Sequence, residues 1–134
     1  MLSRLAGLAL CLAGLALSGC GTGADQREVR ATTERFYAAV QSHDGRAACA
    51  LLDSDTASQL VKDEQESDCA AAVLKLELHG SKAASTSVYA TSAQVKLDGG
   101  DTTFLGWTRD GWRIDAVGCH AAAGGGPLQC EESS

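Results

Sequence analysis

Ala93-Gln94-Val95-Lys96-Leu97-Asp98-Gly99-Gly100 decides the fold class. Ala93, Val95 and Leu97 alternate with Gln94 and Lys96, the period of two that a half-buried strand shows. Asp98-Gly99-Gly100 then supplies residues that tolerate the left-handed backbone of a hairpin turn. The same period runs on both sides. Residues 85–89 form a weaker strand, residues 103–108 and 112–117 form two more, and Asp110-Gly111 is a second turn. Strands joined this closely pair antiparallel, so a meander with one face on a core is expected.

Upstream of Ser85 the period lengthens. Val29, Thr32, Thr33, Phe36, Tyr37 and Val40 recur at the spacing of one helix face. Asp25, three residues before Glu28, matches a capping box that would begin this helix, and Gly45 falls just past its end. Asp44 can cap a second helix carrying Ala47, Ala48, Leu51 and Leu52. Asp53-Ser54-Asp55 interrupts it before a third segment with Leu60 and Val61, and Ser67 or Asp68 can cap a fourth over residues 70–76. Residues 62–68 are charge-rich and expected as a solvated turn; without a glycine they do not make a calcium loop. Helices followed by strands predict an α+β domain with the helical layer on one face of the sheet.

The first 19 residues read differently. Arg4 is followed by 13 residues, 5–17, that carry no charge. A charged start and a short apolar run make an export signal, and a bilayer span needs about 20 apolar residues. Leu17-Ser18-Gly19-Cys20 comes next, and at all four positions it resembles the lipobox of bacterial lipoproteins. The resemblance implies a diacylglycerol on the Cys20 thiol, cleavage before Cys20, and anchoring to the outer face of the cytoplasmic membrane. Two acyl chains suffice for stable anchoring where one does not. The organisation expected is a signal peptide at 1–19, a lipidated cysteine and short tether at 20–24, a domain at 25–130 and a tail at 131–134.

Removing residues 1–19 takes away Arg4 and leaves 10 basic against 17 acidic residues, a net charge of −7. That balance argues against nucleic acid and anionic lipid surfaces as partners, since both attract basic patches. Only six aromatic residues are available for a core, so cross-links would help a domain of this size. Cys49, Cys69, Cys119 and Cys130 provide them, four cysteines outside the cytoplasm that allow three pairings. Cys49 with Cys69 and Cys119 with Cys130 is expected, because each pair stays within one local unit and closes a loop of roughly 10 to 20 residues, worth about 3 kcal/mol apiece. A metal site would want Cys-x-x-Cys or His-x-x-x-His spacing, and neither occurs, so no metal or cofactor is expected.

Residues 36–55 hold Phe-Tyr-Ala-Ala, then Asp44, then an Ala- and Leu-rich helix ending in Asp-Ser-Asp. Followed by a meander, this order resembles the NTF2-like superfamily, which includes ketosteroid isomerases and polyketide cyclases. The resemblance implies helices closing a conical sheet over a pocket. It does not bring a function with it, because that fold hosts enzymes, binders and inert modules alike. The position of the isomerases' catalytic tyrosine falls on Phe36, which has no hydroxyl, and Tyr37 points about 100° away around the helix. Residues 48–52, 68–72, 110–114 and 118–119 also resemble small secreted lipoproteins of high-GC Gram-positive bacteria, which strengthens the expectation of anchor and disulfides.

Few residues offer chemistry. His43, His79 and His120 are widely spaced, and no nucleophile turn accompanies them. Asp115 lies opposite Trp112 by alternation and is expected on the solvent side, or lining the cone if the meander curls. Trp107 and Trp112 flank the Asp110-Gly111 turn and are expected to pair in the core; exposed, they would form an aromatic platform. Tyr37, Trp107, Trp112 and Asp115 are therefore the candidate binding surface. The function expected first is a non-enzymatic envelope module for a protein, peptide or glycan. A carrier of a small apolar ligand comes second and an NTF2-like enzyme third.

Overall fold

The computed structural model describes residues 23–134, so Leu17, Ser18, Gly19 and Cys20 lie outside the described residues. Helix α1 (Gly23–Gln41) comes first and buries Val29, Thr32, Thr33, Phe36, Tyr37 and Ala39. It begins two residues before Asp25, which stands in its first turn rather than capping it, and Gly23 and Ala24 are helical where a tether was expected. Val40, expected on the buried face, is only partly covered.

Gly45 does not end α1, because His43 takes the left-handed conformation there, at φ 60°. Instead Gly45 opens α2 (Gly45–Cys49), capped by Asp44, whose Oδ1 accepts from the Ala47 amide at 3.0 Å. Asp53 caps α3 (Ser54–Asp63) in the same way through the Asp55 amide. Asp68 caps α4 (Cys69–Ala72), which is only four residues long and tightens into a 3-10 turn at Val73–Lys75, short of the helix through 76 that the alanines suggest. In the charge-rich turn before it, Glu66 pairs with Lys75.

The sheet follows in chain order: β1 (Ala83–Tyr89), β2 (Ser92–Leu97), β3 (Thr102–Thr108) and β4 (Gly111–Ala121), each antiparallel to its neighbour. Asp110-Gly111 closes the β3–β4 hairpin with Gly111 at φ +92°. The tail adds two strands that the sequence pattern does not announce, β5 (Leu128–Gln129) and β6 (Glu132–Ser133), both on the free edge of β4. Further along that edge Ile114 exchanges backbone hydrogen bonds with Leu51 and Asp53, at 2.9 and 2.8 Å. Three separate segments thus cover an edge that would otherwise recruit another strand.

β4 is bent. Its register against β3 shifts on either side of Phe104, and Gly118 sits at φ +65°, so Ala116, Val117, Gly118 and Cys119 are all buried where strict alternation would expose every second one. Val95, Leu97, Leu105, Trp112 and Ile114 line the inner face against Val29, Phe36 and Tyr37 of α1, and none is more than 3% exposed. Cys49 bonds to Cys69, stapling α2 to α4, and Cys119 bonds to Cys130, clipping the tail to β4. Both bridges are the expected ones.

Candidate functional site

The four residues expected to share a surface do not form one. Tyr37 and Trp112 are buried, at 0% and 2% exposure. Asp115 packs over Gly106 on the outer face, where a β-carbon on Gly106 would stand 2.6 Å from Asp115 Oδ2. Trp107, expected in the core, is 52% exposed. It does pair with Trp112 across the hairpin, edge to face at 5.5 Å. The difference between them comes from the helical layer. The first turn of α1 reaches Trp112, with Asp25 Oδ1 3.5 Å from the indole Nε1, and Trp107 stands beyond that cover at the end of β3.

A second cluster was not apparent in the sequence. Asp101, 2% exposed, accepts a hydrogen bond from the Tyr37 hydroxyl at 3.2 Å and another from the His79 amide at 2.7 Å. His79 Nδ1 lies 3.6 Å from the other carboxylate oxygen, and Thr103 Oγ1 is 3.2 Å from the Tyr37 hydroxyl. Burial, together with the neighbouring Asp101 charge, pushes the Tyr37 hydroxyl well above its ordinary value, so it remains a neutral donor. A histidine oriented by a buried carboxylate is half of a general-base arrangement. Here it faces solvent, and the cluster mainly ties α1 to the segment before β1 and to the β2–β3 turn. Tyr37 and Asp101 are 64 positions apart, which is why no spacing pattern links them.

Among the described residues, surface clefts lie between elements. One of about 460 Å3 runs between α3 and the tail and is lined by Asp55, Lys62, Asp63 and Glu132. Another, about 390 Å3, lies between α1 and β1, and a third, about 400 Å3, between α3 and the β3–β4 hairpin. Glu132 is the unusual group among them. It is 3% exposed and its Oε2 has no hydrogen-bond partner. Burial raises its pKa, and Asp63 and Glu64 add to the effect. Burial likewise raises Asp115, with Asp53 beside it. Among the described residues no group of three or more His, Cys, Asp or Glu is arranged to hold a metal ion.

One end of the sheet gathers exposed aromatic surface. The Trp107 amide donates to the Thr91 carbonyl at 2.8 Å, so the β1–β2 turn lies beside the end of β3. Tyr89, 61% exposed, begins that turn. Val88 pairs with buried Ala93 on the inner face, so Tyr89 belongs to the outer face, whereas Trp107 shares the inner face with Leu105. The β3–β4 turn and the first turn of α1 complete this end.

Comparison with known protein families, curated proteins and solved structures returns no match.

Proposed function

We propose that the chain is an extracytoplasmic lipoprotein, held to the membrane by Cys20, whose domain is a non-enzymatic interaction module of the cell envelope. The two disulfides carry the reading. Bridges of this kind persist in oxidising compartments, and they use Cys49, Cys69, Cys119 and Cys130 among themselves, which leaves the Cys20 thiol for the lipid. The lipobox at Leu17 to Cys20 supplies the address.

The packing supports an interaction module over a carrier or an enzyme. Phe36, Tyr37, Leu105 and Trp112 fill the space between helices and sheet, where a small-molecule pocket of this architecture would lie. The underlying fold in this reading is a reduced NTF2-like one, favoured by the helices preceding a bent meander. An envelope protein, peptide or glycan is the class of partner.

Replacing Cys20 by alanine in a bacterium that processes lipoproteins tests the anchor. The wild-type chain is expected to fractionate with membranes and incorporate labelled fatty acid, and the variant to do neither. Membrane fractionation and labelling that survive Cys20→Ala would overturn the reading.

A further inference from the structure

We infer that the end of the domain bearing Trp107 and Tyr89 sits in the headgroup layer of the membrane that anchors the chain. The inference rests on Cys20 as the lipid-bearing residue and adds which part of the domain meets the bilayer. Cys20 precedes Gly23 by three residues, so its α-carbon lies within about 11 Å of the start of α1 whatever path the chain takes. The start of α1 is at the end of the sheet that carries the two turns, beside Trp112 and Trp107. A lipid on Cys20 therefore holds that end, and no other, against the surface.

The chemistry of that end suits the place. Tryptophan and tyrosine concentrate where a membrane meets water, because each joins an apolar ring to a polar tip. Trp107 is already braced against Trp112, so little side-chain freedom is lost when it is immobilised. Charge points the same way. Residues 23–30, 86–92 and 106–113 hold Arg27, Arg30, Arg109 and Arg113 against Asp25, Glu28 and Asp110, whereas the other described residues hold 6 basic against 14 acidic ones. Arg30 pairs with Glu34, so the end is close to neutral in an acidic domain and is the part that an anionic bilayer repels least. The two exposed rings also lie on opposite faces of the sheet. They do not form the single flat platform that a glycan or peptide would stack on, and a headgroup layer surrounding the whole end accommodates both.

The test uses the full-length lipidated protein in vesicles of phosphatidylglycerol and phosphatidylethanolamine, with and without brominated acyl chains. Intact-mass measurement first reads the lipid. Tryptophan emission is expected to fall and shift to shorter wavelength with brominated lipid, and Trp107→Phe, which keeps buried Trp112, is expected to lose that quenching while retaining its far-ultraviolet circular dichroism and its thermal unfolding transition. An acylated protein whose emission brominated lipid leaves unchanged would overturn the docking and leave the anchor standing, with Trp107 free for a soluble partner. A mass without acyl chains would overturn both.

Discussion

A β-carbon on Gly45 would stand 2.0 Å from the carbonyl oxygen of Ala70, a distance that nothing short of backbone movement relieves. The glycine is there for contact, since it lets α2 lie directly on α4. Gly45→Ala is expected to cost about 1–3 kcal/mol in denaturant unfolding through overpacking. Glu132 carries a different kind of strain. Its folded pKa lies above the unfolded value, so the native state holds the proton more tightly, and stability falls as pH rises from about 4.5 through the folded value. Glu132→Gln is expected to stabilise the domain at neutral pH by on the order of 1 kcal/mol and to flatten that slope, as thermal unfolding at a series of pH values will read. Asp115, raised in the same direction, leaves a residual slope in the variant. Glu34 has the opposite sign. The Ala83 amide holds its carboxyl below the ordinary value, so its contribution is present above the unfolded pKa and lost in more acid solution.

Among the elements, α2 and α4 are five and four residues long, too short to persist without tertiary support. The Cys49–Cys69 bridge and the Gly45 contact hold them to one another. Replacing both cysteines by serine is expected to lower stability by about 3 kcal/mol, the loop-closure value for a separation of 20 residues, and hydrogen exchange is expected to rise first in α2 and α4. β4 is the element on which the sheet depends, with β3 along one edge and Leu52, β6 and β5 along the other. Strands β1 to β4 were legible because alternation and turn residues are local signals. β5 and β6 were not, because two residues show no period and their pairing comes entirely from the edge that β4 presents.

At the scale of the molecule, the tail closes the sheet. Residues 128–134 bond to the edge of β4, and Cys130 holds them there. Deleting them, with Cys119→Ser to remove the orphaned thiol, is expected to leave a folded domain that self-associates through the bared edge, seen as a mass of two or more chains in light scattering.

Local pattern determined the class of this fold, its helix-first order, two of its hairpin turns, the helix caps at Asp44 and Asp68 and its disulfide partners. Each depends on residues within about 20 positions of one another, where periodicity and spacing carry the physics. Tertiary structure alone decided which tryptophan is buried, since that turns on where α1 ends relative to the hairpin. It also decided that Tyr37 would face Asp101 rather than a ligand, and that Glu132 would be buried with an unpartnered oxygen. Those outcomes join segments that are distant along the chain, and a sequence carries no local signal for which distant group will stand opposite.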